Sequence, residues 1–251
     1  MKLKKIANFG PSITFLVVIF LIWEILASIN QLSNRLLPAP SKIIIALIEN
    51  WHIIAPHAYQ TILETIIGFI FAIFLGVGTA LLLEVSIHTK RTVYPLLISS
   101  QTIPLIALAP LLLVWFGFGL TPKVIMVVLF CFFPIAIATS QGLSSTDKEH
   151  LKLLASMNAS HFQMLRYVRF PNALPQFFYG LKIAATYSIT AAIVGEYVGG
   201  YQGLGIYMQL ASNSQAIVLV FAAILVTTIL SLLLFGLVVV FERVCTPWNR
   251  D

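Results

Sequence analysis

Three carboxylates stand where an apolar chain accommodates them least: Glu24 in the run 13–29, Glu64 near the start of the run 61–85, and Glu196 near the end of the run 176–198. A charge at such depth is costly unless it faces a cavity or a partner, so each acid invites a functional reading beside the plainer one of helix–helix pairing. Other chemistry is harder to assemble. The histidines at 52, 57, 88, 150 and 161 read as lying outside the apolar runs, which removes the usual base for a serine nucleophile within them. His150 and His161 lack a Cys or a second-shell carboxylate at ligand spacing, so no metal site is expected. Cys131 and Cys245 are too few and too far apart for a disulfide frame or a metal cage, and both read as packing residues. No Gly-x-x-x-x-Gly-Lys-Ser/Thr run occurs, so the chain has no phosphate-cradling loop of its own. Catalytic, cofactor-binding and metal-binding residues are therefore all expected to be absent.

The elements that must hold these acids are apolar. Of 251 residues, 59% are hydrophobic and 10% charged, against roughly 25% charged in a soluble domain. The expected fold is an all-α, polytopic membrane protein of about six transmembrane helices, read at 13–29, 61–85, 93–118, 124–139, 176–198 and 217–241. The first run could be a signal peptide, but it shows no small-x-small cleavage site and is interrupted by Trp23 and Glu24, so it reads as an uncleaved span. Between spans one and two, the stripe Ile43, Ile44, Leu47 and Ile48, bounded by Lys42, Glu49 and Asn50, suits a helix lying at the membrane surface within 30–59. Gly68, Gly76 and Gly78 let span two approach its neighbours closely. Pro104, Pro110 and Pro134 interrupt the hydrogen-bond ladder of spans three and four, which is tolerated where neighbours or a cavity satisfy the freed carbonyls. Lys182, near the inner start of span five, is expected to reach back to the headgroups.

Orientation follows from the basic residues. With the amino terminus cytoplasmic, the inner segments hold Lys2, Lys4, Lys5, Lys90, Arg91, Lys148, Lys152, Arg166, Arg169, Arg243 and Arg250, and the outer ones Arg35, Lys42 and Lys123. That bias is what the positive-inside rule requires. It also accounts for the net charge of +6, because the basic residues are dispersed between apolar runs rather than gathered for nucleic acid.

One long polar interval remains, 147–175. Leu151, Leu154, Ala155 and Met157 recur at helical spacing after the acidic start Asp147 and Glu149, and a second set, Phe162, Leu165 and Val168, follows Ser160. Asn158 between them readily adopts a left-handed backbone, so the interval reads as helix, tight turn, helix, stopped by Pro171 and Pro175. This knuckle resembles the cytoplasmic loop of the permease subunits of binding-protein-dependent ABC importers. Asn158 stands at the family's Gly position, and Val168, Arg169, Phe170 and Pro171 end the motif after the family's nine-residue gap. Lys152, Leu153 and Leu154 depart from its acid and small positions. Residues 103–119, IPLIALAPLLLVWFGFG, look like a signature of the nitrate, sulfonate, taurine and thiamine-precursor branch, and residues 195–210, GEYVGGYQGLGIYMQL, resemble that branch's outer loop after span five. There Gly199, Gly200, Gly203 and Gly205 allow a tight re-entrant turn, with Tyr201 and Tyr207 placed to anchor at the interface. The ending from Glu242 and Arg243 to Pro247 and Trp248 also matches.

The resemblance implies a type I importer permease, or MetI-like, fold with cytoplasmic coupling helices. Residues 1–59 would form a cytoplasmic tail, first span and extracytoplasmic surface helix, and 60–251 the permease transmembrane domain, with the coupling loop at 147–171. It implies a second copy of the chain, two copies of an ABC ATPase subunit carrying the ATP and magnesium, an extracytoplasmic substrate-binding protein and surrounding lipid, in a bacterial cell membrane. Lys152, Ala155, Ser156, Asn158, Ala159, Phe162 and Pro171 would couple to the ATPase, and Glu64, Pro104, Pro110, Pro134 and Glu196 are candidates for the translocation pathway. The turn and tail look closest to members that import a hydroxymethylpyrimidine type of thiamine precursor, and acids within spans with almost no arginine suit an anion path poorly. Import of sulfonate, taurine or nitrate is the alternative within the branch. A stand-alone channel or secondary transporter is the alternative from another class, but the spans show no repeat of broken helices in corresponding halves.

Overall fold

The computed structural model describes residues 10–29 and 37–248. Lys2, Lys4, Lys5, Arg35 and Arg250, which entered the orientation reading, lie outside the described residues. Lipid offers backbone groups no hydrogen-bond partner, so a chain this apolar must pair them within each segment. Accordingly the described residues hold helices and no strand. Among the described residues four helices are long and apolar enough to cross a membrane, running from Trp51, Leu120, Phe162 and Ile217, and a bent helix pair within 88–116 makes a fifth if it crosses as one span. The first apolar helix, α1 (Gly10–Ile29), is followed by α2 (Pro40–Glu49), whose Ile43 is buried. Ahead of those four helices, α1 carries a shorter apolar stretch, Thr14–Ser28.

Helix α3 (Trp51–Val85) runs for 35 residues, about 52 Å at 1.5 Å per residue and longer than a hydrocarbon core of roughly 30 Å. It begins ten residues before the expected boundary at 61, because Pro56 removes only the hydrogen bond to the His52 carbonyl and the helix carries on through it. His52 and His57, read as loop residues, therefore lie on the helix. The third apolar run, by contrast, does break. Helix α4 (Ile87–Ser100) stops before Pro104, a 3₁₀ turn (Leu105–Leu108) intervenes, and α5 (Ala109–Phe116) leaves at 83° to the first piece. Helices α6 (Leu120–Ser144), α9 (Phe170–Gly199) and α11 (Ile217–Cys245) are continuous, and α10 (Leu204–Asn213) packs against α9, α11 and α3. Between α6 and α9 lie α7 (Lys148–Ser156), the one-turn α8 (His161–Met164) and a π turn (Leu165–Arg169).

Pro171 and Pro175 do not stop the second knuckle helix as expected. The π turn widens the spiral, with the Phe170 N–H donating to the Leu165 carbonyl, so Pro171 enters at the first turn of α9, where a missing N–H is tolerated. Pro175 sits inside α9. Lys182 does not reach the headgroups but donates to both carboxylate oxygens of Glu242 at 2.9 Å, tying α9 to α11. Cys131 is a buried packing residue as expected, whereas Cys245, on the last turn of α11, is exposed.

The core is a seam of small residues between α6 and its two neighbours. A Cβ on Gly180 of α9 would lie 2.5 Å from the Pro134 carbonyl oxygen and 2.6 Å from the Ala138 Cβ. On the other side, one on Gly68 of α3 would lie 2.5 Å from the Val127 Cβ. Ala72, Ala136, Ala184, Ala185, Ala191 and Ala192 are fully buried along the same contacts. Such approach gives van der Waals packing, the main force between helices where lipid supplies no hydrophobic drive. Gly180→Ala is expected to cost about 2 kcal/mol through overpacking, seen as a lowered thermal unfolding midpoint in detergent. Gly78→Ala, whose added carbon meets nothing within 4 Å, should hold or raise that midpoint, since Ala is the better helix former.

Candidate functional site

The knuckle is a self-contained turn. The Asp147 side chain caps α7 by accepting from the Glu149 N–H at 2.9 Å. At the far end Asn158 takes φ +58°, the left-handed conformation its position demanded. The Ala159 N–H then returns to the Leu154 carbonyl and the Asn158 N–H to that of Ala155, both at 3.0 Å, the paired bonds of a Schellman cap. Ser160 immediately opens the next helix with a capping box: its N–H donates to Gln163 Oε1 at 2.7 Å, and its hydroxyl accepts from the Gln163 N–H at 3.3 Å. Of the residues assigned to coupling, Lys152, Ala155, Ser156, Asn158, Ala159 and Phe162 all sit on this turn, and Pro171 starts α9 behind it. Leu153, Met157, Phe162 and Tyr167 are exposed there, each by more than 60%.

A charged brace fastens the knuckle to the bundle. Glu84 at the end of α3 accepts from Arg169 Nη1 at 3.0 Å and from Ser144 Oγ at 3.1 Å, and pairs with Lys90, which also reaches Ser144. Four elements therefore converge on one carboxylate: α3, α4, α6 and the π turn. In the sequence Glu84 is only an acid at the end of the apolar run 61–85. No local spacing announces a partner 85 positions away.

At the opposite end lies a second cluster, and it is buried. Glu64 Oε1 accepts from Lys123 Nζ and from Gln60 Nε2, each at 2.7 Å. Lys123 also donates to the Gln202 carbonyl at 3.1 Å. Glu196 Oε1 accepts from the Thr61 hydroxyl at 2.6 Å, and its Oε2 from the Gly205 N–H at 2.5 Å. The Leu204 N–H donates to Thr61 Oγ1 at 2.9 Å and that of Gly203 to His57 Nδ1 at 3.1 Å. Glycine is needed at 203, where φ is +131° and a Cβ would overlap the Glu196 carboxylate. Glu64 and Glu196 are fully enclosed and Lys123 is 3% exposed, so this cluster lines no cavity. Lys123, read as a loop cation, is thus the partner of a span acid. Tyr207, expected at the interface, is instead buried against the His57 ring, while Tyr201 is exposed. Glu24, the third span acid, accepts from the Ser41 N–H and hydroxyl at 3.0 and 2.7 Å, joining α1 to α2.

Between the two charged ends, a cavity of about 490 Å³ opens beside α6 and α9, bordered by Pro134 and by Gln101 and Leu105 at the break between α4 and α5. Pro104 begins that break and Pro110 stands in the first turn of α5. The pathway candidates therefore separate into prolines at or near a cavity and acids locked away from it. Lys123→Ala should strand two enclosed carboxylates and cost about 3–5 kcal/mol of stability. Adding Glu64→Gln should recover part of the loss, as measured by denaturant unfolding in micelles.

Residues 68–245 match the family described as "Binding-protein-dependent transport system inner membrane component". The chain is 36% identical over 218 residues to a probable ABC transporter permease protein of Haemophilus influenzae, covering 87% of this chain and 89% of that protein. It is 36% identical over 242 residues, 96% of each chain, to the formylaminopyrimidine transport permease protein ThiX of Halalkalibacterium halodurans. Among solved structures, a chain of the methionine ABC transporter MetNI in an inward-facing conformation superposes with a TM-score of 0.68 at 20% identity, over 79% of this chain and 98% of that one, a likeness of fold. With its apolar helices arranged in that fold, this multi-pass membrane chain belongs to the binding-protein-dependent transport system inner membrane components, the permeases of ABC importers.

Proposed function

We propose that this permease carries a pyrimidine precursor of thiamine inward, driven by two copies of an ABC ATPase that hold the ATP and magnesium and dock on the knuckle. The observation that carries the coupling half of this reading is the knuckle's construction. Two interlocked caps leave Leu153, Met157 and Phe162 exposed at the tip of the bundle, and Glu84 transmits any displacement of Arg169 to α3, α4 and α6 together. Closure of the ATPase dimer would then rock the spans as a rigid body and switch access to the pathway. A second copy of the chain completes the pore, lipid surrounds it, and an extracytoplasmic binding protein delivers the solute.

The knuckle end is cytoplasmic in this reading, and the amino terminus with it, since Lys90, Arg91, Lys148, Lys152, Arg166, Arg169 and Arg243 gather there among the described residues. Pro104, Pro110 and Pro134 shape the pathway. Glu64 and Glu196, enclosed within the bundle, keep α3, α6 and the turn before α10 in register rather than meeting solute. The pyrimidine assignment draws on the relative at 36% identity that bears the formylaminopyrimidine name.

Uptake of labelled hydroxymethylpyrimidine into cells expressing the permease, its ATPase and its binding protein tests the reading. Asn158→Gly, which relaxes the left-handed turn, should keep transport, whereas Asn158→Val should place a β-branched residue there at roughly 1–2 kcal/mol and cut uptake about tenfold. Uptake that persists with the ATPase deleted would remove the importer mechanism, and uptake of taurine in place of the pyrimidine would remove the substrate.

A further inference from the structure

The cavity of about 490 Å³ falls within the size range of small-molecule sites, roughly 300–1,000 Å³. Two helical faces make its walls. Phe130 and Phe133 lie one turn apart on α6, and Tyr179 and Tyr187 lie eight residues apart on α9, about 12 Å along one face. Both tyrosines are more than half exposed. Their hydroxyls and the Gln101 amide make no hydrogen bond within the described residues, and Gln141 spends its amide N–H on Tyr94 Oη at 3.1 Å while keeping its carbonyl. No residue of the lining carries a charge. The ion pairs lie elsewhere: Glu84, Lys90 and Arg169 at the knuckle, Glu64 and Lys123 at the far end, and Lys182 turned to Glu242 on α11.

An anion entering such a space would shed water and meet no cation, a cost that only pairing could offset. A neutral ring would lose little and gain twice, by stacking on aromatic faces and by hydrogen bonding at its edge to amides and hydroxyls. We propose that this cavity is the transit site of the permease and takes an uncharged, planar nitrogen heterocycle, held by Phe133, Tyr179 and Tyr187 and oriented by Gln101 and Gln141, while refusing sulfonates. This rests on the importer reading and adds a selectivity filter within the permease, beyond whatever the binding protein selects.

The test uses the full complex in membrane vesicles, without ATP, in a Cys245→Ser background carrying Ile183→Cys, a lining position that leaves the three aromatic contacts in place. Hydroxymethylpyrimidine at millimolar concentration should slow maleimide labelling at that position several-fold, and taurine at the same concentration should not. Equal protection by both, protection by taurine alone, or protection by neither overturns the proposal. In a transport arm, Tyr179→Ala with Tyr187→Ala should lower hydroxymethylpyrimidine uptake roughly tenfold, the loss expected when stacking is removed. Tyr187→Phe should restore most of the uptake lost in Tyr187→Ala, and unchanged uptake in the double alanine variant overturns the proposal as well. The labelling arm needs no hydrolysis, so its outcome stands apart from failure of the ATPase-driven mechanism, which shows instead as uptake without the ATPase.

Discussion

Helices α6 and α9 lie close enough for backbone to meet backbone, and the rest of the molecule depends on that contact. Gly180 rests on the Pro134 carbonyl, and a Cβ on Gly142 would lie 2.9 Å from the carbonyl oxygen of Ala173 and one on Gly195 3.0 Å from the Lys123 Cα, so the seam runs the length of both helices. In lipid, packing of this kind must do what the hydrophobic effect does in water. The knuckle is the tip of this antiparallel pair. Both of its stems are packed against each other along their length, so it is not a loop between two independent spans.

Charge gathers at the two ends of this pair. One network surrounds Glu84 where the knuckle joins the bundle, and another surrounds Glu64, Lys123 and Glu196 at the opposite end. The first is partly open to solvent and gathers four elements on one carboxylate. The second is enclosed, where an unpaired charge is expensive, so its two acids, one lysine and several backbone donors form a set that is costly to pull apart. Between them the wall beside α6 and α9 is neutral and aromatic. In the transit role proposed for this wall, the ion pairs stand away from the solute.

The caps explain how the knuckle keeps its form at the tip of the bundle. A Schellman cap ending α7 and a capping box opening α8 satisfy the backbone groups of both helix ends locally, so the turn draws nothing from a partner to hold its shape. Its apolar side chains are thereby free to be covered by another subunit. The π turn that follows delivers Pro171 to the first turn of α9, so the knuckle's second helix and the span share one axis across a proline that would otherwise separate them.

Local chemistry was enough to determine the all-helical membrane class, the knuckle and its left-handed Asn158, and the break near Pro104, because caps, prolines and apolar runs act within a few residues of themselves; the importer family was legible only through the likeness of its motifs. What only the tertiary structure decided is which side chains meet across distance. Lys123 joins Glu64, Lys182 joins Glu242 and Arg169 joins Glu84 over separations of 59, 60 and 85 residues. The same is true of Tyr179 and Tyr187, which look like an ordinary helical stripe until α6 is laid beside them to form a wall. Burial of a charge and the shape of a cavity are properties of packed neighbours, and helix packing is set by the summed fit of many small residues that no single motif encodes.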